Sequence, residues 1–467
     1  MKKSDIHLFF NNTANKRQKW NQRNRFYHRS IEKYISFIIP DNKKILEIGC
    51  STGDLLNSIK ATEKVGIDFA PNTIEIAKLK YPNIRFYVDD IEEMQLSEKF
   101  DYIIISDLLC CLWDAQKAFQ NIRKLCHSQT RIVISQHNFI WEPIMKFVEF
   151  LGLKQKQPSQ NWFSVKDVEN ILNLEGFQTI KIEKKILLPK NIPLLSWLFN
   201  TIFANLPLLN QLDLINIQIA RPLLVDDTQY SVSIIVPARN EHGNIENAIL
   251  RTPNFGTHQE FIFIEGNSVD NTYEEILRIQ QAYPNNDIKA LKQTAKGKGN
   301  AVREAFDVAS GDILMILDAD LTMPPEELPK FYDALRYNKG EFINGCRLVY
   351  PMNKNAMRFL NLIANKFFGM FFTYILGQRL KDTLCGTKVL FKCDYETIKA
   401  NRHYFGDFDP FGDFDLLFGA AKQNLKITEI IIRYRDREYG STQISRFKHG
   451  LLLIKMSFFA LRKIKFN

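Results

Sequence analysis

At 467 residues the chain is too long for one hydrophobic core, and about two to three domains are expected. A hydrophobic content of 45% beside 24% charged residues excludes a disordered chain. The net charge of +10 favours an anionic partner (phosphate, nucleotide or membrane surface); no nucleic-acid-binding motif accompanies it, so nucleic acid is not expected.

The N-terminus is polar after a few residues and has no apolar signal core. No stretch reaches the roughly 20 apolar residues of a membrane-spanning helix. Seven scattered cysteines, with no CxxC pair and no histidine at metal-binding spacing, read as reduced thiols. A cytoplasmic protein is expected, with peripheral contact at the inner face of the cell membrane compatible with its charge.

From Arg25 to Ile39 apolar residues recur at helical spacing, and Pro40-Asp41 ends the pattern. Strands then alternate with helical stretches: KKILEIGC, KVGIDFA, IRFYVDD, FDYIIISD and RIVISQH, to about Leu188. Such alternation predicts a doubly wound α/β sheet. In it, Glu47 to Gly53 (EIGCSTG) turn a buried strand into a helix, where glycine lets backbone approach a ligand closely. Asp68 ends the next strand, where a carboxylate can accept hydrogen bonds from ribose hydroxyls, and Asp90 ends the one after.

The ordered set ILEIGCSTGDLL, VGIDFAPNTIEIAK, FYVDDIEEM and FDYIIISDLL resembles class I S-adenosylmethionine-dependent methyltransferases over residues 25–188. By that resemblance Glu47, Gly49 and Gly53 would form the methionine-side loop. Asp68 would hold the ribose, and Asp90 with Ile91 the adenine. Ser51 stands where the family usually carries a glycine. The methyl acceptor is not legible: no NPPY-type motif is present, and His137, after RIVISQH, reads either as a general base near a substrate hydroxyl or as a hydrogen-bonded structural residue.

Residues 189–229 are proline-punctuated, apolar and almost uncharged, and predict a linker or helical hairpin, or a segment touching membrane or lipid. A second alternating series over 230–445 follows: SVSIIVPARNE, EFIFIEGNS, IKALKQT, DILMILDAD and EFINGCR, with helices between. Its central feature is Asp318-Ala319-Asp320 at the end of an apolar strand. Two carboxylates one residue apart can share a hard divalent cation, and such a cation bridges a nucleotide diphosphate. Pro237, Ala238, Arg239 and Glu241 end the first strand and can wrap a base and ribose. Gly297 and Gly299 open a helix whose amides face phosphate, with Lys298 beside them.

This series is similar to family 2 glycosyltransferases of GT-A fold, and within them to dolichyl- or polyprenyl-phosphate sugar transferases, through MILDADLTMPPEEL, DTLCGTK and RDREYGST. The resemblance covers about 230–455. It implies that Asp318 and Asp320 hold Mg2+ or Mn2+ against a nucleotide-diphospho sugar. It also implies that Arg347, Arg437 and Ser441 contact the acceptor phosphate or the diphosphate, and that Asp413 and Asp415 carry the acidic acceptor-side role. Glu265-Gly266 departs from the family's paired aspartates and leaves GDP against UDP open. The tail 446–467 mixes Leu, Ile and Phe with Lys and Arg, and reads as a core helix or a basic amphipathic one.

Together these readings predict two α/β domains, an N-terminal Rossmann-like methyltransferase (1–188) and a C-terminal GT-A glycosyltransferase, in one bifunctional enzyme of cell-envelope glycan or glycolipid synthesis with a polyprenyl phosphate acceptor. The alternatives are a non-catalytic methyltransferase-like docking module, or transfer to a non-lipid glycan.

Overall fold

A computed structural model describes residues 3–152, 160–225, 227–350, 359–404, 413–437, 439–440 and 446–466, without the side chains of 15–18, 359–362, 413 and 446–450. The chain divides into two compact units, residues 1–224 and 225–465.

In the first unit seven strands form one sheet: β1 (Lys44–Ile48), β2 (Glu63–Asp68), β3 (Arg85–Val88), β4 (Phe100–Ser106), β5 (Cys126–His137), β6 (Phe177–Lys185) and β7 (Ile215–Pro222). Their order is β3-β2-β1-β4-β5-β7-β6, parallel except for β7, which runs against both neighbours. Ile45, Leu46, Ile103, Ile104, Ile132 and Val133 are all buried. Helices on both faces are what allow such unbroken aliphatic runs. From β1 the chain winds outward through β2 and β3, then crosses to β4 on the other side of β1. This puts the switch point between β1 and β4, where the carboxyl ends of the strands leave a crevice.

Two features depart from expectation. Residues 189–229 are not a helical hairpin: short helical turns run from 195 to 212, and β7 then fills the gap between β5 and β6. Its Ile215, Ile217 and Ile219 alternate with buried polar residues, which disguised a strand whose whole length is covered. One of these, Arg221, donates from Nε and Nη2 to Gln178 Oε1 at 3.1 and 2.9 Å. The polar N-terminus also forms a 21-residue helix, Lys3–Arg23. It is anchored by Ile6 and Phe10, which pack with Ala70 and Phe69.

Asp213, just before β7, is buried, and neither carboxylate oxygen has a hydrogen-bond partner among the described residues. Burial pushes its carboxyl from 3.8 up to about 7, against the pull of Lys185 and Lys184. A folded-state value above the unfolded one means that the folded state binds the extra proton. The stability this gives is therefore complete below about pH 4 and lost as pH rises through 7. Asp213→Asn is expected to flatten that decline and to stabilise the first unit at pH 8 by at most about 4 kcal/mol. Urea midpoints of both proteins at pH 5 and pH 8 check this; parallel pH profiles would contradict it.

The second unit carries β8 (Val232–Ala238), β9 (Gln259–Glu265), β10 (Asp287–Lys292), β11 (Ile313–Ile316), β12 (Phe342–Cys346), β13 (Lys388–Phe391) and β14 (Ile427–Ile431). The order is β10-β9-β8-β11-β13-β12-β14, with β13 antiparallel to both neighbours. Here the switch point lies between β8 and β11, so Ala238 and Asp318 emerge side by side. The C-terminal helix Arg446–Ile464 turns Leu453, Met456 and Ala460 into the core and leaves Leu451 and Phe458 71% and 63% exposed. It is a core helix on one face and an apolar surface on the other.

Candidate active sites

In the first unit, the turn after β1 is set by Gly49 (φ +73°) and Gly53 (φ +77°), in the left-handed region. Space also demands glycine: a Cβ at Gly53 would lie 2.6 Å from Phe86 Cζ, and one at Gly49 2.9 Å from Leu108 Cδ1. Asp68 pins this turn to the end of β2, its Oδ2 accepting from the Ser51 amide at 3.0 Å and its Oδ1 from the Ala70 amide at 2.9 Å. Gly49, Asp68, Asp90 and Ile91 line one cavity of about 430 Å3. Glu47 and Gly53 do not line it. Glu47 is buried, which lifts its carboxyl well above the usual range despite a hydrogen bond from the Leu56 backbone.

Sequence reasoning missed the opposite wall of this cavity, formed by the helix Lys3–Arg23. Lys3 Nζ lies 2.7 Å from Asp90 Oδ2 and 3.1 Å from Glu92 Oε2, and the His7 ring stacks on Phe69 at 4.3 Å. Burial works against the Lys3 ammonium, but hydrogen bonds to Asp90 and Glu92 outweigh it and hold the group above its ordinary value. A polar helix with sparse apolar residues gave no signal that it would close a pocket.

In the second unit, the carboxylates of Asp318 and Asp320 are each met by a cation. Lys298 Nζ, at the start of the helix Lys298–Val308, is 2.6 Å from Asp318 Oδ1. Arg437 reaches from beyond β14 to place Nη2 2.6 Å from Asp320 Oδ2 and Nη1 2.6 Å from Glu241 Oε1. One guanidinium therefore ties the end of β8 to the end of β11. Burial alone would raise the Asp318 carboxyl; Lys298 outweighs it, with Arg347 and Lys388 adding, and holds it below the usual carboxylate range. Burial has the upper hand at Glu241, which sits above its usual range although Arg437 pulls it down.

The other expected residues are placed less simply. Pro237 and Ala238 close β8, and Arg239 just beyond them is exposed. Glu265 turns inward to accept from the Ser268 amide and so shapes its own loop. Arg347 is already engaged: its Nε and Nη2 form a fork to buried Asp382 at 2.7 and 2.9 Å, and Tyr434 lies under the guanidinium. Asp415, which is buried, is likewise engaged by the partly exposed Arg402, whose Nε lies 2.7 Å away. Asp413 begins the helix Asp413–Lys422 but its side chain, like Ser441, lies outside the described residues. Gly386 was not singled out beforehand: a Cβ there would lie 2.1 Å from Asp318 Oδ2 and 2.6 Å from Lys298 Nζ.

Residues 39–185 match a methyltransferase domain model, and residues 233–397 match glycosyl transferase family 2. The chain joins a methyltransferase domain to a family 2 glycosyltransferase domain. The second domain is similar to the dolichol-phosphate mannosyltransferase of Pyrococcus furiosus, 36% identical over 25% of this chain and 33% of that protein. It is also similar to the undecaprenyl-phosphate 4-deoxy-4-formamido-L-arabinose transferase of Salmonella paratyphi B, 28% identical over 46% of this chain and 62% of that protein. The chain thus spans 33% to 62% of the length of these two relatives. It also aligns with a SAM-dependent methyltransferase from Thermotoga maritima, at 16% identity over 46% of this chain and 99% of that one, with a TM-score of 0.37. Two transferase domains on one chain make it an enzyme.

Proposed function

We propose that the chain transfers a sugar from a nucleotide-diphospho sugar to a polyprenyl phosphate and carries out S-adenosylmethionine-dependent methyl transfer in the same cell-envelope glycan or glycolipid pathway. The observation that carries the sugar-transfer half is the pairing of Asp318 with Lys298 and of Asp320 with Arg437 at the switch point of the second sheet. Two carboxylates to hold a cation and two cations to meet phosphate oxygens then converge where an α/β sheet binds ligands.

The donor set fits a hard divalent ion such as Mg2+ or Mn2+. Among the described residues no three His, Cys, Asp or Glu side chains cluster to hold an ion by themselves. An ion that takes one or two carboxylates and completes its shell with substrate phosphates and water suits Asp318 and Asp320. When bound, it neutralises charge developing on the leaving nucleotide diphosphate. Lys298 and Arg437 flank the two carboxylates, and Gly386, bare of a side chain, lets the Asp318 carboxylate and the Lys298 ammonium pack against its backbone. Pro237, Ala238, Arg239, Glu241 and Glu265 are the residues for the nucleoside, GDP or UDP. A phosphate acceptor is already ionised and needs no strong base, which is compatible with Asp415 being committed to Arg402.

A lipid acceptor is supported by the names of the relatives and by an apolar surface on the second unit. Ile363, Phe367 and Met370 of the helix Phe359–Leu376 are exposed, as are Leu451, Ile454 and Phe458 of the C-terminal helix, and Phe371 contacts Phe458. No helix among the described residues is long and apolar enough to cross a membrane, so contact through these faces would be peripheral. For the methyl-donor half, Gly49, Asp68, Asp90 and Ile91 are the residues that would touch the donor, with Glu47 and Gly53 shaping the turn beside them.

The test is a screen of GDP- and UDP-sugars with Mn2+ and polyprenyl phosphate, read by mass, together with S-adenosylhomocysteine calorimetry. Lipid-linked product and saturable heat are expected, and Asp68→Ala should weaken the nucleoside at least tenfold. Transfer to water-soluble glycans alone would overturn the lipid acceptor. No binding heat would make the first domain a docking module.

A further inference from the structure

The first unit carries an apolar surface that neither transfer reaction uses. Two stretches form it, and both leave the sheet at one edge, where His137, Ile215 and Lys185 are register partners across β5, β7 and β6. One stretch follows β5. Its helix Glu142–Phe150 contains Ile144, Phe147 and Phe150, yet none of its residues is buried, and Phe150 is 85% exposed. The other stretch, between β6 and β7, exposes Leu194, Trp197 and Leu208. The two meet where Trp141 Nε1 donates to the Leu212 carbonyl at 2.9 Å. Apolar surface gathered in this way, and not spent on the core, marks an interaction site.

The second stretch presents its leucines by a repeated device. Pro193-Leu194-Leu195 and Pro207-Leu208-Leu209 share one sequence, and their central leucines share one conformation. Leu194 has φ +63° and ψ −45°, and Leu208 has φ +73° and ψ −51°, in the rare and strained γ-turn region. At 84% and 83% exposure these side chains gain nothing from the core in return, and strain of this kind gathers at functional sites. The surroundings are basic. No Asp or Glu occurs from Lys184 to Leu212, where Lys190 is exposed. Lys190 Nζ donates to Asn24 Oδ1 at 3.1 Å, which joins this stretch to the corner between the first two helices. Around that corner Lys19, Arg23, Arg25, Arg29 and Lys33 are all exposed, and residues 14–33 hold seven Lys or Arg against one Glu. Arg25, Arg29 and Lys33 recur every fourth residue, so they form one stripe along the helix Arg25–Ile38.

We propose that this face docks the first unit on an anionic lipid bilayer, its Leu, Phe and Trp side chains entering the headgroup layer while the basic rim meets lipid phosphates. Exposed Leu, Phe and Trp beside Lys and Arg are the composition that settles at such an interface. Charge selects this occupant over a second copy of the chain, because a two-fold contact would set the same cations against each other. No helix among the described residues is long and apolar enough to cross a membrane, so the contact is peripheral. Strands β1 and β4 run parallel to β5, and their carboxyl ends therefore lie at the same edge of the sheet. Docking there holds the donor crevice beside the bilayer. This contact is independent of both transfer reactions and of the apolar helices on the second unit.

The test is flotation of the full chain with mixed vesicles of phosphatidylcholine and anionic phosphatidylglycerol, free of polyprenyl phosphate. Binding is expected, and should fall at least about tenfold on phosphatidylcholine alone, where the basic rim has no counter-charge. Leu194→Gly with Leu208→Gly removes two apolar contacts but keeps both turns, because glycine takes positive φ without a clash. That double variant should melt within a few degrees of the parent yet bind the mixed vesicles at least about tenfold more weakly. Arg25→Glu with Arg29→Glu should weaken binding to a similar degree through charge. A full chain that does not float overturns the proposal. Flotation unchanged in the glycine variant overturns it too, and assigns the binding to the second unit. Sedimentation velocity without lipid gives the remaining arm. A dimer that the glycine variant dissolves, with no vesicle binding by the parent, makes the face a contact between copies instead.

Discussion

Asp320→Asn is expected to lower sugar transfer at least a hundredfold while shifting the unfolding temperature by only a few degrees. The side chain is partly exposed, and its Oδ1 accepts from the Thr322 amide at 3.2 Å and hydroxyl at 2.8 Å. An asparagine oxygen can keep both bonds, so the turn after β11 survives. The charge does not survive. Arg437 keeps Glu241 as its partner, but the site gains a net positive charge and loses a ligand for a divalent ion. Removing one element of preorganised charge from a transferase site costs of order 10²–10³ in rate. A carboxylate six residues away supplies the control: Glu326 pairs with Arg251 on the surface, and Glu326→Gln should leave transfer unchanged. Mass-spectrometric rates in Mn2+ with a polyprenyl phosphate acceptor decide the matter, and retained transfer in Asp320→Asn would remove the Asp318-Asp320 pair from the mechanism.

The parts of the molecule legible in its sequence are those governed by local pattern. Runs such as KILEI and ILMI can only be strands buried on both faces, and glycine or aspartate at their ends marks the turns where ligands meet an α/β sheet. Asp68, Asp90, Asp318 and Asp320 stand out as candidates in this way. Features that depend on distant partners do not. β7 alternates aliphatic and polar residues, as a half-exposed strand does, yet Asn216 and Gln218 are buried because the strand is inserted between two others. The helix Lys3–Arg23 carries too few apolar residues to stand out, and only the surface formed by Phe69 and Ala70 gives it a place to lie. The Tyr27–Asp107–His137 group joins three segments spread over 110 residues, so only His137 stands out in the sequence and its partners do not.

Arg347 shows how a residue type expected at phosphate is also held by a carboxylate, and it carries the largest expected effect on stability. An arginine after a strand in this fold invites a phosphate, because its fork suits phosphate oxygens. The same fork suits a carboxylate, and Asp382 from the DTLCGTK segment takes it twice, with the Arg347 amide adding a third bond at 3.0 Å. Burial would lift the Asp382 carboxyl, but Arg347 overrides it and holds the acid below its usual range. Asp382→Ala leaves a buried guanidinium without its counter-charge, a change that costs about 3–5 kcal/mol. For a unit of this size that amounts to a fall in Tm on the order of 10 °C. Because the expense lies in the orphaned charge, the pair Arg347→Met with Asp382→Leu should recover most of the loss. Calorimetric melts of the single and double variants test this, and a double variant as unstable as Asp382→Ala would show that the pair is not the source of the stability. Sugar transfer by the double variant then separates the two roles of Arg347. Recovery of stability and activity together makes the residue a brace beneath Asp318, whereas recovery of stability alone means that the guanidinium also meets substrate phosphate.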